Sequence, residues 1–148
     1  MAPGTSVPTD AAVKLAFATR VEIQVLAGGL SGRTFSFVEP EALLLGRERG
    51  LSLTFTPADR QVSKRHAAIT REGGGYVYRD LGSSNGSFLL PGGAEITEVA
   101  LPLDTRVEIL LGGGEGARCA VLLTRVVACG RYLLTGLLGR GGMAEVFA

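Results

Sequence analysis

The sequence predicts an all-β fold, a sandwich or a barrel. Short apolar or alternating runs recur about every 8 to 12 residues, which is the spacing of strands in such folds. Turn formers separate the runs, as at Gly73-Gly74-Gly75 and Pro91-Gly92-Gly93. No stretch before residue 125 shows sustained helical periodicity, so the fold class follows from the pattern of strands and turns.

The individual strands are predicted in chain order from their side-chain patterns. Residues 21–25 alternate between apolar and polar side chains, the signature of a half-buried strand. A turn at Gly28-Gly29 precedes a second strand around Phe35 and Phe37, and the third strand, residues 43–45, is fully apolar. The other strands are predicted at residues 51–55, 67–71, 76–79, 87–90, 106–110 and 118–125.

Composition limits the classes of function. The 148 residues allow one domain with tails, and the net charge of +1 argues against general affinity for nucleic acid or an acidic membrane. Cys119 and Cys129 fit no metal-ligand spacing, and there is a single histidine, so we expect neither a metal site nor a cofactor. We expect both cysteines to be reduced, small apolar side chains.

The first residues have a different composition. Residues 1–19 are rich in Pro, Ala, Thr and Gly, and their one apolar cluster is too short for a signal-peptide core. No run in the chain approaches the length of a transmembrane helix. We therefore expect a flexible leader at residues 1–19 and a cytoplasmic location.

Three donor-rich loops fall between predicted strands. They are Gly46-Arg47, residues 63–67 (Ser-Lys-Arg-His-Ala) and residues 80–86 (Asp-Leu-Gly-Ser-Ser-Asn-Gly). Together they offer a guanidinium, an ammonium, hydroxyls and an amide at strand ends. This set suits a phosphate carried on a peptide, because a phosphorylated side chain has three strong acceptor oxygens and nearly two negative charges.

These three motifs, in this order, resemble the forkhead-associated (FHA) domain, a β-sandwich that reads phosphothreonine peptides. The resemblance runs from about residue 20 to residue 125. It implies two twisted, mostly antiparallel sheets of about 11 strands. It also implies a phosphothreonine-containing protein or peptide as the partner, and neither nucleic acid nor membrane.

The resemblance also assigns roles to the residues that would contact the bound peptide. Arg47 is the expected phosphate anchor, Ser63 the second phosphate ligand and Lys64 a further cationic candidate. Ser84 stands where many relatives have threonine, and its hydroxyl should also donate to the phosphate. Asn85 should bond the peptide backbone beside the phosphothreonine.

Other residues of the motifs are expected to support the site. His66 should bond across loops to hold the serine, and Gly46 should let its loop pack closely. Gly82 and Gly86 should permit a tight turn with positive φ. For Arg47 an ordinary salt bridge with Glu48 or Asp59 is the alternative.

Residues 126–148 resemble something else. From residue 130 they look like the opening of a bacterial-type Ser/Thr kinase: a first strand, a glycine-rich loop carried by Gly139, Gly141 and Gly142, and a second strand beginning near Val146. The lysine and both aspartates of a kinase lie further downstream, so we expect no enzymatic activity from this chain. The apolar start of this segment could pack on the sandwich, stay disordered or pair with another chain.

Two enzymatic interpretations fail on residue order. Residues 82–86 match the G-x-S-x-G nucleophile elbow of hydrolases, but that elbow leads into a helix and precedes its histidine. Here a strand is predicted next, and His66 comes earlier. Asp80-Leu81-Gly82 imitates the metal-binding tripeptide of kinases but precedes the glycine-rich loop.

One apparent nucleic-acid site fails as well. Arg60, Lys64 and Arg65 could be taken for a basic patch, but they lack interleaved aromatic residues on which bases could stack.

Three hypotheses of function stay open at this point. The first is a phosphothreonine-binding module from a bacterial signalling protein, docking a substrate or the phosphorylated segment of its own kinase. The second is that the relevant activity is phosphoryl transfer by the parent kinase. The third is an interaction domain that binds without phosphate. The predicted organisation is a leader (1–19), an FHA domain (20–125), and a linker with a truncated kinase segment (126–148).

Overall fold

A computed structural model of the chain describes residues 15–129 and 132–133, which form strands and their connections and contain no helix. No described segment is therefore a helix that could cross a membrane. The strands are β1 (Leu15–Ala27), β2 (Thr34–Val38), β3 (Ala42–Gly46), β4 (Leu53–Thr54), β5 (Ala67–Glu72), β6 (Gly75–Asp80), β7 (Ser87–Leu90), β8 (Ala94–Ile96), β9 (Glu98–Leu101), β10 (Val107–Leu111), β11 (Ala117–Cys129) and β12 (Tyr132–Leu133).

The strands form two sheets. The seven-stranded sheet has the order β2-β1-β11-β10-β7-β8, with β12 paired to β11, and the five-stranded sheet has the order β4-β3-β5-β6-β9. Among these strand pairs only β3 and β4 run parallel. The predicted all-β sandwich of two mostly antiparallel sheets is confirmed.

Alternating side chains of both sheets build one core. Val21, Ile23 and Val25 of β1 are fully buried, whereas the Gln24 side chain between them is exposed. They belong to the same buried cluster as Ile69 of β5 on the opposite sheet. Successive side chains of a strand point to opposite faces, so the alternation seen in the sequence is the alternation between core and solvent.

A buried polar pair and a free thiol also lie in this core. The Tyr78 hydroxyl and the Ser87 Oγ are 2.8 Å apart, a hydrogen bond that links the two sheets. Cys119 is a buried free thiol, and burial raises its pKa to about 12.

Several predicted boundaries need correction. The sandwich begins at Leu15, so residues 15–19 are part of β1 and do not belong to a flexible leader. β1 and β11 are 13 residues long each and pair from Leu15 opposite Cys129 to Ala27 opposite Arg118, which takes β11 past the predicted boundary at residue 125. Mutual pairing satisfies backbone groups beyond the point where the side chains stop alternating.

Other differences concern short strands. The strand predicted at residues 51–55 shrinks to the two residues of β4, and β8 and β9 were not predicted because their sequences carry charged and exposed residues. In the tail, β12 adds to the edge of β11. The residues of the kinase-like glycine-rich loop, Gly139, Gly141, Gly142 and Val146, lie outside the described residues, as do residues 1–14.

Truncating a core residue of β1 should destabilise the sandwich. Ile23 has no exposed surface, so Ile23→Ala should lower the free energy of unfolding by about 2–5 kcal/mol. Urea denaturation measures this change. Gln24→Ala, at the exposed neighbouring position, is the matched control and should change stability by less than about 0.5 kcal/mol. Equal losses in both variants would contradict the placement of the core.

Candidate functional site

Four connections meet at one end of the sandwich. The β3–β4 loop reaches the β4–β5 loop through the Arg47 N–H, which donates to the Ser63 carbonyl at 3.0 Å. The β6–β7 loop reaches the same segment through the Ser84 N–H, which donates to Ser63 Oγ at 3.0 Å. The β10–β11 turn joins them through the Gly112 N–H, which donates to the Gly86 carbonyl at 2.9 Å. The three motif loops predicted from the sequence therefore lie side by side.

Close approach of two backbones at this end requires Gly46. A Cβ built on Gly46 would lie 2.0 Å from the Lys64 carbonyl oxygen, a distance that no side chain tolerates. The absence of a side chain lets the last residue of β3 lie directly against the β4–β5 loop. That contact fixes where Arg47, the next residue, leaves the strand.

Arg47 is half-buried, and its Nε donates to the Val62 carbonyl. The two acidic side chains that the sequence offered as partners are engaged elsewhere. Glu48 pairs with Arg65 at 2.9 Å. Asp59 is buried and accepts hydrogen bonds from the Gly29 N–H at 2.8 Å and from Thr56. Arg47 thus forms no ion pair with any described residue, and the expected alternative of a salt bridge is not observed.

Ser63 connects two of the loops. Its Oγ accepts the Ser84 N–H, while its own N–H donates to Nδ1 of His66 at 3.0 Å. Within the described part of the chain the Ser63 hydroxyl hydrogen has no acceptor. A serine hydroxyl can accept and donate at once, so this group can still donate to a ligand.

The buried side chain of His66 links the β4–β5 loop to the β6–β7 loop. Its side chain has no exposed surface, Nδ1 accepts the Ser63 N–H, and Nε2 lies 2.8 Å from the Gly86 carbonyl. Because Nδ1 must be unprotonated to accept, Nε2 carries the hydrogen and donates it to Gly86. Burial lowers the pKa of His66, so the ring stays neutral at neutral pH. With both nitrogens engaged, His66 cannot serve as the base of a hydrolase.

Asp80 organises the β6–β7 loop, a role that the sequence analysis missed. Its carboxylate accepts the N–H groups of Gly82 and Ser83, at 2.9 and 2.8 Å, and the hydroxyls of Ser83 and Ser87, both at 2.6 Å. Burial raises the pKa of Asp80, but these hydrogen bonds outweigh it and hold the pKa below its usual value. The sequence did contain a signal for this role, because Asp80 is followed by Gly82 and Ser83, and an aspartate before such residues often bonds the backbone of a turn.

The tip of the β6–β7 loop is exposed. Ser84 and Asn85 both face solvent, and the Asn85 Nδ2 donates to the Gln61 carbonyl at 3.1 Å, which leaves its side-chain oxygen available. Gly86 ends the tip with φ of +84°, a conformation that favours glycine. Lys64, on the neighbouring loop, is exposed and forms no ion pair among the described residues.

The charge at this end of the molecule is positive. Residues 47–65 contain five cationic and two acidic side chains, and both acidic ones are already bound to protein groups. No cluster of His, Cys, Asp or Glu in the described ranges could hold a metal ion. Chemically, the site offers unpaired cationic, hydroxyl and amide groups, and it can bind a compact anion of high charge.

Comparison with known proteins agrees with this geometry. Residues 43–112 match the family model of the FHA domain. One similar solved structure comes from an analysis of phosphothreonine-dependent FHA domain interactions; identity is 26%, coverage 70% of this chain and 95% of that one, and the TM-score 0.55. Another is the FhaA FHA domain complexed with the intracellular domain of Rv3910, with 28% identity, 68% and 98% coverage, and a TM-score of 0.53.

A third solved structure supports the fold alone. The FHA-1 domain of Mycobacterium tuberculosis Rv1747 is 17% identical, and the match covers 72% of this chain and 98% of that one with a TM-score of 0.60. No curated protein sequence matches the chain.

Stability should depend on pH through His66, the only histidine in the sequence. Its pKa is lowered in the folded state, so the unfolded chain takes up the proton first, near its ordinary value of about 6.5. The free energy of unfolding should be flat above that pH. It should fall below it by at most about 1.4 kcal/mol per pH unit, until the folded form is protonated too.

Urea denaturation between pH 7.5 and 5 measures this dependence. His66→Gln is the control: it should be less stable than the wild type, but its stability should change little over the same range. An equal loss of stability on acidification in both proteins would show that another group is responsible.

Proposed function

We propose that this chain, which contains an FHA domain, binds phosphothreonine-containing segments of proteins at the end of the sandwich described above. The FHA domain is a binding module. The observation that carries the proposal is that Arg47, Ser63 and Ser84 lie on loops directly hydrogen-bonded to one another, while Arg47 has no acidic partner among the described residues. A cation held in this way next to free hydroxyls is matched to a phosphate ester.

Arg47 is the anchor in this proposal. Its Nε is held by the Val62 carbonyl, so the guanidinium is oriented before a ligand arrives and its terminal nitrogens remain to donate. Paired donors of this kind make charge-assisted, bidentate hydrogen bonds with phosphate oxygens. Because the guanidinium is already oriented, less conformational entropy is lost when the ligand binds.

The other contacts divide between the phosphate and the peptide backbone. The hydroxyls of Ser63 and Ser84 donate to phosphate oxygens, and Lys64 adds a mobile positive charge. Asn85 bonds the peptide backbone next to the phosphothreonine, with the oxygen that its bond to Gln61 leaves available. His66, Gly46 and Gly86 contribute indirectly, by holding the loops that carry these groups.

Energetics supports a moderate affinity. Each charge-assisted hydrogen bond contributes about 1.5–3 kcal/mol. Desolvation of the phosphate and ordering of the peptide offset much of this gain. We expect micromolar binding, a free energy of about −8 kcal/mol.

Two of the similar structures support the choice of ligand. One comes from an analysis of phosphothreonine-dependent interactions of FHA domains. The other is an FHA domain complexed with the intracellular domain of another protein. Both are more than 25% identical to this chain.

Removing the anchor should weaken phosphopeptide binding. Arg47→Ala should cost about 2 kcal/mol, the value of a lost charged hydrogen bond, which is about thirtyfold in Kd. Calorimetric titration with a degenerate phosphothreonine peptide library measures the loss. Arg65→Ala is the matched control, because Arg65 already pairs with Glu48 on the surface; it should change Kd by less than about threefold.

The same titration includes phosphoserine and unphosphorylated libraries. Equal affinity for phosphorylated and unphosphorylated peptides would refute the proposal and favour an interaction domain that does not require phosphate. If Arg47→Ala changed Kd by less than twofold, Arg47 would not be the anchor.

We infer the source of the phosphothreonine from the sequence of residues 126–148. Their resemblance to the start of a Ser/Thr kinase supports a bacterial, cytoplasmic signalling protein in which the domain docks the kinase's own phosphorylated segment. Immobilised chain should capture the phosphorylated parent protein and lose it after phosphatase treatment. Capture that is indifferent to phosphatase, or absent in both cases, would exclude this partner.

A further inference from the structure

An apolar cleft lies on the outer face of the seven-stranded sheet. It has a volume of about 200 Å³, a floor of Phe88 and Leu90 from β7 and Leu110 from β10, and a rim of Gly93, Gly113 and Gly114. Phe88 pairs with Leu110 in the register of the two strands, so both side chains share one face. We call this cavity, defined by the side chains of Phe88, Leu90 and Leu110, the outer cleft.

The outer cleft adjoins the proposed phosphate site. A Cβ built on Gly113, in its rim, would lie 4.0 Å from the Asn85 carbonyl oxygen. The preceding residue of the same turn, Gly112, donates to the Gly86 carbonyl at 2.9 Å. A peptide held by Asn85 therefore passes over this turn if its chain continues toward β7 and β10.

Size and chemistry restrict what the outer cleft can hold. Pockets for small molecules usually have volumes of about 300–1,000 Å³, and this one is smaller. Its floor is entirely apolar, so it provides no polar group to orient a metabolite. A single aliphatic side chain fits both the small volume and the apolar floor.

An acidic residue stands between the phosphate site and the outer cleft. Glu95 of β8 pairs with Phe88, and its Oε2 would lie 2.9 Å from a Cβ built on Gly86. Glu115 lies in the adjoining β10–β11 turn and is exposed, whereas the nearest cation on the neighbouring strand is Arg118, opposite Leu110. Glu95 and Arg118 are thus charged residues paired with cleft residues, Glu95 with Phe88 and Arg118 with Leu110, whereas residues 47–65 carry a net positive charge.

We propose that the segment flanking the phosphothreonine places an aliphatic side chain in the outer cleft, and that Glu95 selects a basic over an acidic residue beside it. This inference rests on the proposed function. It names the class of partner: phosphothreonine proteins whose flanking sequence is aliphatic and basic.

Peptide binding to the whole 148-residue chain tests the inference. The probes are phosphothreonine peptides with six degenerate residues on each side, one position at a time fixed as Leu, Ala, Lys or Asp. Fluorescence polarisation should show about a tenfold preference for Leu over Asp at one flanking position, as expected for burying most of an aliphatic side chain. A neighbouring position should prefer Lys to Asp.

Two pairs of variants assign these preferences to the cleft. Leu110→Thr should abolish the preference for Leu without changing the affinity for a peptide that has alanine at that position. Leu122→Thr, on the same outer face but outside the cleft, should keep it. Glu95→Gln should abolish the preference for Lys, and Glu22→Gln, on β1 three strands away from β7, should not.

Methyl spectra of the wild-type chain give a readout that needs no variant. The Leu90 and Leu110 methyl signals should shift on adding the Leu-containing peptide and not the Asp-containing one. Phosphate-dependent binding with no aliphatic preference, or with a preference that survives Leu110→Thr, would overturn the inference and leave the proposed function intact. Loss of phosphate dependence for every peptide would overturn both.

Discussion

The neutral imidazole of His66 is the contact on which the site depends. It joins the β4–β5 loop, through the Ser63 N–H, to the β6–β7 loop, through the Gly86 carbonyl. Only a ring with one protonated and one free nitrogen can satisfy both groups. Without it, two polar groups would be left unpaired, at about 1–3 kcal/mol each. Loops that carry a serine and an asparagine are thereby held in fixed relative positions from inside the molecule.

The residues around this ring divide into two sets with different physical roles. Those that hold the loops, His66 and Asp80, have their hydrogen-bonding groups occupied by the protein itself. Those proposed to contact the ligand, such as Arg47 and Lys64, have no acidic partner among the described residues. A site built this way needs little rearrangement on binding, so more of the interaction energy appears as affinity. This division of roles explains why His66 and Asp80, which contact no ligand in the proposal, occur within the sequence motifs.

Much of the fold and of the site could be predicted because the signals are local. The alternation of residues 21–25 and the three loop motifs are readable within a few positions, and the structure brings the loops together. The rest depends on contacts between distant residues. Gly46 is required by the Lys64 carbonyl, 18 positions away, and the outer cleft exists only because β7 and β10 pair in one register. β8 and β9 are only three and four residues long, and they place just Ile96, Val99 and Leu101 against the core, too few apolar side chains to form a readable pattern.

The distribution of charge matters more here than its sum. A net charge of +1 provides no general attraction for anions, yet the segment from Arg47 to Arg65 is strongly cationic, and Glu95 and Glu115 lie beyond it. In the proposed function, phosphate recognition at Arg47 is electrostatic and should be weakened by salt, because the groups are partly exposed. The proposed contact with the outer cleft should depend on apolar area and be nearly independent of salt. On these two proposals, the adjoining surfaces recognise one segment by separate forces: charge holds the modification, and apolar burial distinguishes between sequences that carry it.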